Sequence, residues 1–190
     1  MDLKEKTYVA SRALEKRIHW TSDFVQKELK PGSKILDLGV PNPVSKALKG
    51  HGFHVESASS PDLDFDCECV KQEGFDAFTS FEVFEHMLNP LALLSNIQAP
   101  RLITSVPLSL WFAKAYRGNL TEDRFDEHYH EFEPWQFELL LAKAGWTIDR
   151  TEFHRSYKSF SFGVRPILRR FHYRYMIVSA HRTGTTTAKL

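Results

Sequence analysis

The stretch FDAFTSFEVFEHMLNP, residues 75–90, decides the fold of this 190-residue chain. Its first part, residues 75–81, is a mostly apolar run that predicts a strand buried on both faces. The run passes directly into Glu82, Glu85 and His86, and residues 85–97 then follow a pattern that predicts a helix. A buried strand leading through charged residues into a helix is the unit from which parallel α/β sheets are built.

The same alternation of strands and helices continues on both sides of this stretch. Residues 8–30 predict one or two helices that end at Pro31-Gly32, and residues 44–49 and 134–144 predict two more. The other predicted strands cover residues 34–39, 53–58, 62–67, 101–106, 146–154 and 173–180, of which 62–67 has the weakest pattern. The predicted fold is therefore α/β: a doubly wound, mainly parallel, seven-stranded Rossmann-like sheet with a C-terminal antiparallel strand pair.

The predicted organisation is one domain over residues 31–180, with an N-terminal helical segment at 1–30 and a flexible tail at 181–190. Residues 108–131 have no clear periodicity and exceed an ordinary connection in length, which is typical of functional loops. We expect this segment to form an insertion or lid on the acceptor side.

Composition excludes several classes of protein. The chain has 25 Lys and Arg against 24 Asp and Glu, a net charge of +1, which argues against a whole-surface grip on nucleic acid or membrane. No apolar run is long enough to span a bilayer, and the charged N-terminus lacks the apolar region of a signal peptide. Cys67 and Cys69 are separated by one residue and cannot stabilise a domain of this size with a disulfide. This suits the reducing conditions of the cytoplasm, where we expect the protein.

The turn after the first predicted strand reads DLGVPNP, residues 37–43. Glycines in such a turn let the backbone approach a nucleotide-like ligand closely, and here only Gly39 is present. Pro41 and Pro43 remove two N–H donors that a pyrophosphate would need. NAD and FAD are therefore disfavoured, whereas a ligand without phosphate places fewer demands on this turn.

Several of these segments, taken in order, resemble class I S-adenosylmethionine-dependent methyltransferases. The matching pieces are ILDLG at 35–39, FD at 75–76, EVFEH at 82–86 with NP at 89–90, and SVP at 105–107. The later HYHEFEP at 128–134, continuing to AGW at 144–146, resembles the family's segment before its penultimate strand. The EVxEHxxxP-type element is the most specific piece, and the resemblance covers roughly residues 30–180.

The resemblance implies S-adenosylmethionine as the cofactor and a set of residues around it. Asp37 and Gly39 would lie by its methionine part, and Phe81 and Glu82 would line its floor. Spacing places Ser59 where the family often has an acid for the ribose, with Glu56 and Asp62 as substitutes. The adenine side would be marked by Asp66 beside Cys67, with Asp64 as the alternative. Only seven positions separate Ser59 from Asp66, so the sheet is expected to be trimmed on that side.

Methyl transfer mainly requires an acceptor atom that is held in line with the breaking C–S bond. A general base is required only when the acceptor atom carries a proton with a high pKa. The candidate catalytic residues are His86, His128 and His130, with Glu131 nearby. We expect no metal. The alternative is a divalent cation held by Glu82, Glu85, His86 and one of His128 or His130, with His130 favoured, a set that resembles small-RNA 3′-terminal 2′-O-methyltransferases and some quinone O-methyltransferases.

The sequence thus predicts a methyltransferase that modifies an oxygen or nitrogen of a small-molecule or metabolite acceptor. A metal-assisted RNA 2′-O-methyltransferase is the alternative enzyme, and balanced charge makes nucleic acid the less favoured partner. A non-catalytic binding protein of the same fold is the third hypothesis. The single-glycine turn favours that last hypothesis, and the intact stretch from Glu82 to His86 opposes it.

Overall fold

The structure, a computed structural model, describes residues 12–58, 60, 62–112, 128–155, 168 and 171–183. These residues form a six-stranded sheet with four helices packed on it. The helices are α1 (Arg12–Glu28), α2 (Pro43–Gly50), α3 (Pro90–Asn96) and α4 (Pro134–Lys143). The strands are β1 (Lys34–Leu38), β2 (His54–Ala58), β3 (Ala77–Phe81), β4 (Arg101–Pro107), β5 (Trp146–Arg155) and β6 (Tyr173–Arg182).

The strands follow the order β2-β1-β3-β4-β6-β5 across the sheet. The first four strands are parallel to one another, and β6 pairs antiparallel with both β4 and β5. This arrangement confirms the predicted parallel sheet with a C-terminal antiparallel pair. Helix α1 is described from Arg12, against a predicted start at residue 8, and the other elements begin and end within two residues of their predicted bounds, with the exceptions described next.

The prediction of a seventh strand over residues 62–67 is wrong. Those of its residues that the structure describes form turns, followed by a short 3₁₀ turn at Glu68–Val70. The Asp62 side chain accepts a hydrogen bond from the Asp64 N–H at 3.0 Å, and the Asp62 carbonyl accepts one from the Asp66 N–H at 3.0 Å. Aspartates close such local hydrogen bonds in competition with strand pairing. In the described part of the chain, β2 is therefore the outermost strand on this side of the sheet.

The helix predicted over residues 85–97 also differs. A single 3₁₀ turn at Phe84–His86 is followed by extended backbone at Met87, and α3 begins only at Pro90. The proline ring disfavours helical backbone at the residue before it, so Asn89 takes φ −131° and ψ 70°. The 3₁₀ turn thus separates Glu85 and His86 from the helix. At the other end of the chain, β6 continues through Arg182, beyond the predicted start of the tail at 181, and residues 184–190 lie outside the described residues.

Each face of the sheet has its own apolar core. On one face, α1 and α2 pack against strand residues such as Ile35 and Ile103. On the other face, α3 and α4 pack against Phe78 and Trp146. At the end of α1, Glu28 accepts a hydrogen bond from Arg101 at 3.0 Å, and Arg101 begins β4. Helix α1 therefore runs from the carboxyl ends of the parallel strands towards their amino ends.

Arg182 joins the ends of two helices to the sheet. Its guanidinium donates hydrogen bonds to the carbonyl of Ala144 after α4 and to those of Ser95 and Ile97 at the end of α3, at 2.9, 2.9 and 2.5 Å. It also stacks over the Trp146 ring at 4.4 Å. Helix ends leave carbonyls without intrahelical partners, and a cation there is favoured by the helix dipole.

We expect Arg182→Met to lower the free energy of unfolding by about 2–4 kcal/mol, because several carbonyls lose a charged donor together. Urea denaturation measures this change. Arg155→Met is the matched control, since exposed Arg155 also stacks on a ring, that of Tyr173. The control substitution should lower the free energy of unfolding by less than about 1 kcal/mol. An equal decrease for both variants would contradict the role assigned to Arg182.

Candidate active site

The parallel register brings the carboxyl ends of three strands together, and we call this end of the sheet its carboxyl edge. Asp37 on β1 lies opposite Thr79 on β3, and Phe81 at the end of β3 lies opposite Ser105 on β4. Strand β6 enters the same edge from the opposite direction, with Tyr175 paired to Pro107. Ligands of open α/β sheets bind at the carboxyl ends of the strands. This edge is therefore the candidate active site.

Asp37 is a buried carboxylate held from two sides. It is 1% exposed, and it accepts hydrogen bonds from the Thr79 hydroxyl at 2.6 Å and from the Asn42 side-chain amide at 3.3 Å. Burial raises the pKa of Asp37 to about 7, although both hydrogen bonds and the positive charge of Lys49 oppose the shift. A carboxylate in this state favours a cationic partner that restores its charge.

The turn after β1 is organised by Asn42. Its side chain accepts hydrogen bonds from the N–H groups of Val44 and Ser45 at 2.9 and 3.1 Å, so it caps α2 while also contacting Asp37. Pro43 occupies the first position of the helix, where its missing N–H costs nothing. Pro43 thus begins a helix here in addition to stiffening the turn.

Gly39 leaves open space beside Asp37. Its φ is +108°, a value that favours glycine, and its N–H donates to the Ala58 carbonyl at 2.7 Å. No atom lies within 4 Å of the point where a Cβ on Gly39 would project. A ligand can therefore approach the backbone here as closely as the sequence predicts.

Glu82 has the one positive φ of a non-glycine residue in the described part of the chain, +59°. Such backbone costs about 1–2 kcal/mol and is typical of functional sites. Its N–H donates to the Ser105 carbonyl at 3.0 Å, and its carboxylate accepts from the Ser105 hydroxyl at 3.2 Å. Burial raises the pKa of Glu82 to about 7, and the positive charges of Arg17 and Arg174 oppose the shift.

Three potential metal ligands lie together beyond Glu82. One ligand atom each from Glu85, His86 and His128 fall within 4.8 Å of one another. Glu85 is 1% exposed, and its Oε2 has no hydrogen-bond partner within the described residues. Burial, followed by the negative charge of Glu82, raises the pKa of Glu85 well above its usual value. The Glu85 carbonyl accepts from the N–H groups of Tyr129 and His130 at 2.7 and 3.1 Å, which holds residues 128–130 against this turn.

The other members of the predicted metal set, Glu82 and His130, do not belong to this group in the part of the chain that the structure describes. The His130 ring stacks on Phe132 with centroids 5.3 Å apart, and its Nε2 is 3.4 Å from the Leu88 carbonyl oxygen. Glu82 is turned to Ser105. The histidine that the structure brings beside Glu85 and His86 is thus His128, with the two imidazole rings 4.6 Å apart and nearly perpendicular.

The residues predicted on the adenosine side have structural partners. Asp66 accepts hydrogen bonds from the Ser60 hydroxyl and the Glu68 N–H, both at 2.9 Å, and these bonds lower its pKa. Asp64 accepts from the N–H groups of Leu88 and Asn89 at 2.9 and 2.7 Å, and so ties this loop to the start of α3. Cys67 is half-buried, with a pKa raised by burial. Ser59 lies outside the described residues.

Sequence reasoning missed several residues of this edge. Asn42 could have been found, because an asparagine before a proline and an apolar run is a helix-start signal. Arg17, Arg174 and Tyr175 come from the two ends of the chain, and no local pattern associates them with Glu82. The predicted lid is described only at its two ends, and the Ser109 N–H donates to the carbonyl of Phe132, the residue directly after the lid, at 2.8 Å. Residues 113–127 lie outside the described residues.

Many solved structures share this fold. A chain from the complex of the Haloferax volcanii Trm112 methyltransferase activator with its proposed methyltransferase has a TM-score of 0.62 at 13% identity, over 94% of this chain and 100% of that one. An S-adenosylmethionine-dependent methyltransferase from Mesorhizobium loti has a TM-score of 0.57 at 16% identity, over 89% of this chain and 100% of that one. The Synechocystis magnesium protoporphyrin IX methyltransferase, solved with S-adenosylhomocysteine, has a TM-score of 0.58 at 15% identity, over 94% of this chain and 90% of that one.

These structures establish the class I S-adenosylmethionine-dependent methyltransferase fold that the sequence resemblance predicted. No protein-family model matches the chain, and no curated protein matches it. Among the described helices, none is both long and apolar enough to cross a membrane.

The raised pKa of Asp37 predicts a pH dependence of stability. Its pKa is about 7 in the folded state and near 3.8 in the unfolded state, so the folded protein binds more protons between these values. Stability attributable to Asp37 therefore falls as pH rises from about 4 to about 7, by at most about 1.4 kcal/mol per pH unit.

Asp37→Asn should remove this contribution, so its stability relative to wild type should increase from pH 5 to pH 8. Urea unfolding at a series of pH values measures the difference, and Glu82 and Glu85 titrate alike in both proteins. Asp76→Asn, an exposed carboxylate, should follow the wild-type profile. Parallel profiles for Asp37→Asn and wild type would show that Asp37 does not titrate in this range.

Proposed function

We propose that this protein is an S-adenosylmethionine-dependent methyltransferase that modifies an oxygen or nitrogen of a small-molecule acceptor. The observation that carries the proposal is the juxtaposition of Asp37, open Gly39 and Glu82 at the carboxyl edge of a methyltransferase fold. The cofactor, when bound, supplies a methyl group on an already activated sulfonium. What the chain must do is bind the cofactor, orient the acceptor and, where needed, accept a proton.

The residues present fit the methionine end of that cofactor. Asp37 is a buried carboxylate that a positive charge would stabilise, and Gly39 leaves its backbone accessible. Phe81 and Glu82 would line the floor, while Ser59, Asp66 and Cys67 remain the proposed adenosine contacts. These assignments place the cofactor in the open space beside Gly39, in the turn at residues 37–43. Pro41 and Pro43 carry no N–H group, so this turn is unsuited to binding a pyrophosphate.

The acceptor is proposed to lie beyond Glu82, towards the 3₁₀ turn and β6. With a pKa of about 7, Glu82 is partly ionised at neutral pH and can take a proton from a hydroxyl or amine. His86, His128 and His130 are the other candidate bases. The near-neutral net charge favours a small molecule over nucleic acid, and the Synechocystis neighbour is named for a small-molecule acceptor.

Calorimetric titration with S-adenosylhomocysteine tests the cofactor assignment. We expect wild type to bind and Asp37→Asn to bind at least about tenfold more weakly, because a charge-assisted contact is lost. Asp76→Asn is the control, since Asp76 accepts a hydrogen bond from the Lys34 N–H at the opposite end of the strands. Absence of binding to wild type would overturn the proposal. Binding without turnover of any acceptor would instead favour a non-catalytic binding protein.

A second candidate is a metal-assisted methyltransferase acting on an RNA 2′-hydroxyl. The specific observation in its favour is the group Glu85, His86 and His128, because one carboxylate and two imidazoles can hold a divalent cation. Such an ion would polarise the acceptor hydroxyl. The buried Glu85 Oε2, which has no hydrogen-bond partner among the described residues, fits a ligand atom of this kind.

Manganese binding tests this candidate independently of activity. Titration of metal-free protein with Mn²⁺, followed by electron paramagnetic resonance, should show one site that Glu85→Gln weakens at least about tenfold. Glu138→Gln, a change of the same chemistry on α4, should bind as wild type does. Undetectable Mn²⁺ binding, or binding equal in wild type and Glu85→Gln, would remove the metal-assisted mechanism.

A further inference from the structure

Exposed aromatic side chains from three segments lie on one side of the carboxyl edge. Trp111 follows β4, and Phe153 lies near the end of β5. Phe171 and Tyr173 lie where the chain enters β6. Because β6 is antiparallel to both β4 and β5, these three segments are at the same end of the sheet. Trp111 is 75% exposed and Phe171 is 69% exposed, so the rings project into solvent.

Contacts between the rings join these segments into one surface. We call it the basic aromatic patch, and its members are Trp111, Phe112, Phe153, Arg155, Phe171 and Tyr173. The Phe112 ring contacts those of Trp111 and His172, with centroids 5.3 and 5.1 Å apart. The Tyr173 ring contacts that of Phe153 at 5.4 Å, and the Arg155 guanidinium lies over it at 5.7 Å. The patch therefore combines exposed apolar area with positive charge.

The exposed apolar side chains are unevenly distributed over the described part of the chain. Ten large ones are exposed there, and none of them lies in a described turn at the amino ends of the strands. Two of those outside the patch are next to acids: Phe65 lies between Asp64 and Asp66 in sequence, and Trp135 donates to Glu133 at 2.7 Å. Concentrated exposed rings indicate an interaction surface, whereas scattered ones do not.

The charges of the chain are divided along the sequence. No Asp or Glu follows Glu152, so all 24 of them lie in residues 1–152. Residues 153–190 contain eight of the 25 Lys and Arg, and six of the eight fall in residues 155–174, from the end of β5 to the start of β6. The net charge of +1 therefore combines a positive C-terminal part with a negative remainder. Local positive charge of this kind attracts an anionic surface that the average charge does not.

We propose that the basic aromatic patch binds the surface of an anionic membrane. Tryptophan and tyrosine are enriched at the membrane–water interface, because their rings enter the apolar boundary while their polar atoms stay hydrated. Arginine and lysine beside such rings are attracted to anionic headgroups. Attachment by this patch turns the carboxyl edge, with Asp37 and Glu82, towards the lipid. The inference concerns the surface itself and does not require that the edge binds the cofactor.

The ring geometry favours a membrane over single-stranded nucleic acid. Successive bases stack on separate ring faces along a positively charged groove. In the patch, Trp111 meets Phe112 at 80° and Phe112 meets His172 at 68°, so these rings do not form a row of parallel faces. Entry into the lipid boundary requires exposed apolar area and nearby positive charge, with no regular spacing of the rings.

Co-sedimentation of the full chain with vesicles tests the inference. Vesicles of phosphatidylcholine alone, and of equimolar phosphatidylcholine and phosphatidylglycerol, are titrated with wild type and four variants. Trp111→Ala and Arg155→Gln change the patch. Trp135→Ala and Lys30→Gln are the matched controls, because Trp135 is an exposed ring beside an acid and Lys30 is an exposed cation at the amino ends of the strands.

We expect wild type to bind the anionic vesicles, and to bind phosphatidylcholine alone at least about tenfold more weakly. Trp111→Ala and Arg155→Gln should each weaken binding to the anionic vesicles about fivefold or more, through loss of apolar burial and of charge respectively. Both controls should bind as wild type does. Added salt should weaken wild type more than Arg155→Gln, and circular dichroism should show that every variant is folded at the assay temperature.

Three results would overturn the inference: no binding of wild type to the anionic vesicles, equal binding to both kinds of vesicle, or equal losses in the patch variants and the controls. A labelled oligouridylate is titrated in the same buffer, and binding to it without binding to vesicles would assign the patch to nucleic acid instead. A dimer that Trp111→Ala dissociates, without vesicle binding, would assign it to a contact between copies. Failure of the proposed function is a separate result, because it is measured by S-adenosylhomocysteine binding.

Discussion

The hydrogen bond from Thr79 to the buried carboxylate of Asp37 joins the neighbouring strands β1 and β3 at the edge where the site forms. The other features of the site depend on this constraint. Because Asp37 is buried, its pKa rises to about 7, and because its second oxygen accepts from Asn42, the turn that contains Gly39 is fixed as well. Asn42 in turn starts α2, so one carboxylate links strand pairing, turn conformation and helix position.

The second carboxylate of the edge, Glu82, is shaped by backbone strain as well as by burial. Its positive φ turns the chain sharply after β3, while two contacts with Ser105 hold it against β4. The 3₁₀ turn that follows separates Glu85 and His86 from α3 and presents them towards His128. Acids and bases from distant segments therefore meet at one edge, where the positive charges of Arg17 and Arg174 oppose the rise in pKa of the two glutamates.

The agreement between sequence and structure varies from element to element. Buried strands such as β3 and β4 were predicted closely, since their apolar runs have no other stable location. The strand expected over residues 62–67 failed because its aspartates form local hydrogen bonds, and the helix expected from residue 85 begins late because Pro90 disfavours helical backbone at Asn89. At the site, Asp37, Gly39, Glu82, Glu85 and His86 were all found in one stretch or turn, since the carboxyl ends of parallel strands meet at one edge.

By itself, the sequence determined the fold class, the edge of the sheet that carries the site and the acids nearest to it, because those depend on local patterns of burial and turn chemistry. Only the tertiary structure decided which distant side chains join them. His128 rather than His130 groups with Glu85, Asn42 contacts Asp37, and the positive charge of Arg17 on the first helix acts on Glu82. These choices depend on the direction of α1, the antiparallel entry of β6 and the attachment of residues 128–130 to the 3₁₀ turn, which are long-range packing effects that no local pattern encodes.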